Sequence, residues 1–191
     1  MWGEFPPTFF IHYMTKIINL FGGPGCGKSS IASGLLYELK KRHISCDAPY
    51  EFPKLLAWDD NQSAIKDQLY VIANQHRGIV KSFGKVDYII LDSPILLSLI
   101  YKSYYDGVEY PSNLYTESFD RMVLDIHSQY DNLNIVLKRG VGVYNEKERY
   151  QKLESSIELD YMIQQTLDTN GIQYIEIDVN DRTVAQIIDL L

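Results

Sequence analysis

An α/β fold, with a parallel sheet covered by helices on both faces, is what this sequence predicts. Three observations carry that reading. Strand and helix signals alternate along the chain. The first strand runs straight into a glycine-rich turn that opens a helix. No repeat, low-complexity tract or second-domain linker interrupts the alternation. With 191 residues, 46% apolar and 23% charged, there is about one domain's worth of core.

The elements follow in order. Lys16–Phe21 is a compact apolar run, hence a buried strand. Residues 29–41 place Ile31, Leu35, Leu36 and Leu39 on one helical face. Residues 44–48 are expected as a short second strand. Residues 63–81 are expected as one helix, with Ile65, Leu69, Ile72 and Ala73 at helical spacing. Residues 86–91 form a third buried strand that ends in Asp92. A tyrosine-rich stretch without clear period, 101–115, carries turn signals at Asp106-Gly107 and Pro111-Ser112. A helix over 116–130, a strand over 134–138, a long polar-faced helix over 146–169, a last strand over 172–179 and a short helix complete the expectation. The domain is read as 14–191, with residues 1–13 an N-terminal extension. Pro6 and Pro7 block regular structure there. It is either an upstream addition before a start at Met14, or a tail packing Trp2, Phe5, Phe9 and Phe10 on the domain.

A formal charge of −7 argues against a tight, sequence-independent nucleic-acid binder, since such binding rests on basic surface. A local basic groove stays open. Cys26 and Cys46 are too few for a disulfide framework, so reduced thiols in a cytoplasm are expected. No apolar stretch approaches the roughly 18 residues of a membrane span, and no secretory signal is read at the N-terminus. His12, His43, His76 and His127 show no metal-ligand spacing.

Gly22-Gly23-Pro24-Gly25-Cys26-Gly27-Lys28-Ser29 fits G-x-x-x-x-G-K-[ST] at every fixed position, between an apolar strand and an amphipathic helix. This is the pattern of a phosphate-binding loop. Its glycines let the backbone turn tightly, so that N–H groups converge on phosphate oxygens. The helix N-terminus adds its positive dipole end. Lys28 is expected on the β- and γ-phosphates of ATP, where a charge pair is worth about 4 kcal/mol at an effective dielectric near 20. Ser29 is expected on Mg²⁺, and the loop set runs on to Ser30.

Two carboxylates sit where strand ends should meet this loop. Asp92 closes the third strand and is placed to hold Mg²⁺ directly or through water. Alternatively it caps the next helix, with Pro94 at an early helical position. Glu51, after the second strand, is placed to orient an acceptor hydroxyl and take its proton; the rival reading is a solvated loop glutamate. Phe52 and Trp58 are either an apolar wall for a planar ring or core residues.

Phosphoryl transfer needs more positive charge than Lys28 and Mg²⁺ supply. Arg139 follows the fourth strand, and Lys147 and Arg149 follow the turn Gly140-Val141-Gly142. That segment, about 140–150, reads as a lid closing over the phosphates. Arg77 is a further candidate. Each of these is also, taken singly, an ordinary surface cation.

The GGPGCGKSS loop, the EFPK segment, the IILDSP strand end and the arginine-bearing lid resemble the thymidylate-kinase-like and deoxynucleoside-kinase-like P-loop enzymes, compact bacteriophage-encoded ones in particular. The resemblance implies a P-loop NTPase three-layer sandwich, a five-stranded parallel sheet in the order 2-3-1-4-5 and a small lid. It implies an ATP- and Mg²⁺-dependent kinase with a nucleoside-type acceptor and Glu51 as base. Deoxynucleoside kinases usually carry Glu-Arg-Ser or Asp-Arg-Tyr where this chain has Asp92-Ser93-Pro94. One viral branch of similar size and layout phosphorylates 5-hydroxymethyluracil already in DNA. The tyrosines at 101, 104, 105, 110 and 115 would suit an extruded base, or would simply pack a lid and helix. The expectation is that acceptor, ahead of a free deoxynucleoside or nucleotide. A non-kinase NTPase is the remaining class; against it, no second acid directly follows Asp92 to activate water.

Overall fold

The computed structural model describes residues 15–105, 116–139 and 153–191. The extension 1–13 and the segment 140–150 read as a lid lie outside the described residues.

Five strands, β1 (Lys16–Phe21), β2 (Cys46–Asp47), β3 (Tyr88–Leu91), β4 (Asp131–Lys138) and β5 (Ile175–Asp178), form one sheet in the order β2-β3-β1-β4-β5. Every pairing is parallel. This is the predicted order in an α/β P-loop NTPase fold. The helices are α1 (Lys28–Lys41), α2 (Phe52–Trp58), α3 (Gln62–Lys66), α4 (Gln68–Ser82), α5 (Leu97–Tyr105), α6 (Thr116–Ser128), α7 (Leu153–Thr169) and α8 (Thr183–Ile188).

In β1 every residue after Lys16 is buried, as a central strand covered on both faces requires. Its side chains alternate between two cores. Ile17 and Phe21 join Ile72 and Ile79 of α4, Leu97 and Ile100 of α5, Val123 of α6 and Leu159 and Ile163 of α7. Ile18 and Leu20 join Leu35 and Leu39 of α1 and Ile187 of α8. Three layers result. Buried Asn19 donates to Asn132 Oδ1 at 2.9 Å and Asn134 Oδ1 at 3.0 Å, pinning the β1–β4 register in which Asn19 faces Asn134.

Several expected boundaries change. The single helix over 63–81 is two, because Asp67 leaves helical geometry (φ −76°, ψ 86°) and its carboxylate accepts the Tyr70 N–H at 3.1 Å. The break re-phases the face: α4 buries Gln68, Val71, Ile72 and Ile79, while Leu69 and Ala73 are exposed. The EFPK segment, which carries no predicted element, enters α2, with Glu51 at its N-cap and Pro53 in its first turn. The start of the tyrosine-rich stretch is helical, and Tyr101, Tyr104 and Tyr105 close α5. Among the described residues, no helix is long and apolar enough to cross a membrane.

Candidate active site

The loop between β1 and α1 is built by its glycines. Gly25 and Gly27 adopt φ of +84° and +94°, a region where a side chain is strained. Gly27 is the N-cap of α1, and its carbonyl accepts the Ile31 N–H at 3.0 Å. The first turn of α1 carries no acidic residue, so its N-terminal dipole faces the loop uncompensated. Lys28 Nζ donates to the carbonyls of Gly22 at 2.5 Å and Gly23 at 3.0 Å, with Cys26 Sγ 3.9 Å away. Cys26 is buried beneath the loop, where it serves as packing.

A cleft of about 890 Å³ opens from this loop. Pro24, Gly25, Gly27, Lys28, Ser29 and Ser30 of the loop line it. So do Glu51, Lys54 and Trp58 from the α2 region, Gln75 from α4, and Ser98, Tyr101 and Tyr105 from α5. The fold thus brings Glu51 and the loop, predicted separately, to one cavity. Asp92 sits in a small adjoining depression shared with Glu51, Gln75 and Ser93. It is too far upstream to be the N-cap of α5, which begins at Leu97.

The cleft walls have a distinct chemistry. Gln75 Nε2 donates to the Ser93 carbonyl at 3.1 Å and to its hydroxyl at 2.8 Å. A carbonyl can only accept, which fixes the amide orientation and leaves Oε1 as the other end. Gln75 Oε1 and Ser98 Oγ are both buried with no hydrogen-bond partner. Tyr101 and Tyr105 stack at 6.0 Å, 23° from parallel. Burial pushes the Tyr101 hydroxyl well above its ordinary range, with Tyr105 and then Glu51 adding to the shift. Tyr101 therefore keeps its proton.

Trp58 is 66% exposed at the mouth, so it is not a core residue; Lys54 Nζ lies 5.1 Å from its ring centre. Phe52, the other residue of the expected wall, turns away to pack edge-on against Tyr70 at 5.3 Å. Arg77 is exposed on α4, away from the cleft lining. Arg139 reaches the loop from behind: Nη1 donates to the Pro24 carbonyl at 2.9 Å, and Nη2 pairs with Asp160 at 2.9 Å. Lys147 and Arg149 lie outside the described residues. Sequence reasoning missed Gln75 and Ser98, which sit in no motif, and Asp160. A buried-face polar residue between Ile72 and Ile79 was the available signal for Gln75.

Sheet order, loop and cleft together define a P-loop nucleotide-binding domain. The chain belongs to the AAA_28 family, described as an AAA domain, whose model matches residues 17–182. No curated protein matches the sequence. Among solved structures it is similar to NadR protein in complex with NR, at 15% identity and a TM-score of 0.69, over 94% of this chain and 50% of that one. The chain thus spans about half the length of NadR. It is also similar to deoxyadenosine kinase from M. mycoides with bound dATP, at 18% identity and a TM-score of 0.57, over 92% of this chain and 97% of that one. The same enzyme with bound dCTP gives 19% identity and 0.57, over 91% and 97%. At such identities the likeness establishes the shared fold.

Proposed function

We propose that this chain is an ATP-dependent kinase that transfers the γ-phosphoryl group to a hydroxyl of a free nucleoside-type acceptor. One observation carries the reading: a single cleft is lined by the phosphate loop together with a carboxylate, paired aromatic rings and two residues whose buried polar atoms lack a partner. A hydrolase needs only water opposite the phosphate. A pocket of this depth with convergent polar groups fits an organic acceptor.

The residues present fit the nucleotide and its metal. Loop N–H groups over 22–30 would cradle the phosphates, and Lys28 would leave the Gly22 and Gly23 carbonyls for them. Ser29 is exposed and lines the cleft, and Asp92 lines the small depression that shares Glu51, Gln75 and Ser93 with it. Mg²⁺ takes one or two protein ligands and completes its shell with phosphates and water, so this small set suffices. Bound there, it would supply charge neutralisation on the phosphates. Glu51 would accept the acceptor's hydroxyl proton, Tyr101 orienting that group by donation. Gln75 Oε1 and Ser98 Oγ would meet the polar edge of the acceptor's ring. The names of the similar structures, a deoxyadenosine kinase and a protein holding NR, support an acceptor of this class.

Hydroxymethyluracil in DNA, expected from the sequence, has less support. A basic rim for DNA would draw on Lys54, Lys81, Lys85 and Lys102; Lys54 lines the cleft, whereas Lys102 is paired with Asp120 and Lys85 Nζ donates to the Lys81 carbonyl at 2.7 Å. The deciding experiment is an acceptor screen with γ-labelled ATP and Mg²⁺ across deoxynucleosides, nucleotides and hydroxymethyluracil-containing DNA. Label on a free nucleoside-type monomer supports the proposal. Label on DNA alone at low salt moves the assignment to the modified base, and label only in free phosphate sinks both. The domain limits, 14–191 with a lid near 140–150, are part of the same proposal, and limited proteolysis with and without ATP tests them.

A further inference from the structure

Asp160, on α7, reaches the phosphate loop across 137 positions of sequence. Its Oδ1 accepts the Gly23 N–H at 2.5 Å, and its Oδ2 accepts from Arg139 Nε at 3.2 Å and Nη2 at 2.9 Å. Arg139 Nη1 then donates to the Pro24 carbonyl at 2.9 Å. One carboxylate and one guanidinium therefore hold adjoining loop residues, the N–H of one and the C=O of the next. The pair is mostly shielded, with 20% of the Arg139 side chain and 29% of Asp160 exposed. Gly23 is the residue that allows this approach. A Cβ there would fall 2.4 Å from the Ser156 carbonyl oxygen and 2.8 Å from Asp160 Oδ1.

Lys28 grips the same peptide by its other end, through the Gly22 carbonyl. A loop whose N–H groups must point at phosphates is effective only if its backbone is held before the ligand arrives, since ordering it afterwards costs affinity. Lys28 cannot provide that hold while it is engaged with phosphate. Asp160 can, because its hydrogen bond and ion pair lie behind the loop and do not depend on the lysine. Placing a carboxylate there without a partner would repel the nucleotide; Arg139 neutralises it.

We propose that Asp160, with Arg139 as its partner, is a positioning residue that holds the Gly23–Pro24 segment of the loop in its nucleotide-binding geometry. The proposal rests on the nucleotide reading of the loop and is independent of the acceptor's identity.

The test is calorimetric titration of the full chain with Mg-ATP, without acceptor, comparing wild type with Asp160→Ala, Asp160→Asn and Arg139→Gln. Removing a charge-assisted hydrogen bond at Asp160→Ala is expected to weaken Mg-ATP binding about tenfold or more. Asp160→Asn keeps an acceptor for Gly23 but loses the ion pair, and should fall between. Adding Arg139→Gln to Asp160→Ala should cost little more, as the two act as one unit. The Gly23 amide proton, bonded to a carboxylate, should resonate downfield in wild type and move upfield in Asp160→Ala. If Asp160→Ala does not fold, the Asn and Gln variants carry the comparison. Binding within about twofold of wild type in the folded variants, a difference too small for a lost charged contact, overturns the proposal. So does equal weakening in Asp160→Ala and Asp160→Asn with the Gly23 resonance unmoved. A wild type that binds no ATP overturns the nucleotide reading and this proposal together, whereas ATP binding without phosphoryl transfer overturns the kinase assignment alone.

Discussion

Gln75 on α4 hydrogen-bonds both the carbonyl and the hydroxyl of Ser93, tying that helix to the strand end that carries Asp92. The remaining amide oxygen is buried without a partner, on a residue that lines the cleft. A buried acceptor left unmatched costs about 1–3 kcal/mol, which a ligand N–H would recover. Gln75→Ala is therefore expected to raise the acceptor KM about tenfold and to leave the ATP KM unchanged. Steady-state kinetics with each substrate varied in turn will check it, and an equal rise in both constants would place Gln75 outside the acceptor site.

Lys28→Ala should abolish phosphoryl transfer and leave the melting temperature near that of wild type. Among the described residues its ammonium bonds loop carbonyls and lies near a sulfur, so its value lies in charge that develops during transfer. Retention of more than about a tenth of the rate, under roughly 1.4 kcal/mol of barrier, would mean the phosphates bind elsewhere.

Glu51→Gln should lower turnover about 10²-fold or more, the scale of general-base catalysis, with ATP affinity intact. The side chain lines the cleft, at the N-cap of α2 where it makes no capping bond. Calorimetry for ATP beside a kcat measurement separates the two effects. A parallel loss of ATP affinity would assign Glu51 to the nucleotide.

His127 gives a pH test of the fold alone. Burial holds its imidazole at a pKa of about 4, against 6.5 when free. The unfolded chain therefore takes up the proton first as pH falls, so stability drops between about pH 6.5 and pH 4 and this group adds no further slope below that. The shift corresponds to roughly 3 kcal/mol at most. Urea unfolding across that range should show the decline, and His127→Gln should flatten it. An unchanged slope in the variant would assign the dependence to carboxylates.

What the sequence made legible was what is local. The loop occupies eight contiguous positions, and its Gly22, Gly25 and Gly27 take the positive φ that glycine allows. The buried strands, above all Lys16–Phe21, are short apolar runs flanked by helices, and the sheet order followed from the family they resemble. The missed features are non-local or hinge on one residue. Asp160 looks like any polar residue of a long amphipathic helix, and only the folded chain brings it to Gly23. Asp67 breaks a helix that apolar spacing alone ran through, which turned Leu69 outward. Gln75 and Ser98 are single polar residues on otherwise buried faces, and periodicity reads such positions as core.

The central claim is transfer of the γ-phosphoryl group to an organic hydroxyl. ³¹P NMR of the chain with Mg-ATP and a mixture of deoxynucleosides follows that phosphorus atom directly. The account predicts that the γ resonance of ATP is replaced by ADP and a phosphate monoester, and that neither appears with Lys28→Ala. Conversion of the γ resonance to inorganic phosphate alone, at the same rate with and without nucleosides, would contradict it.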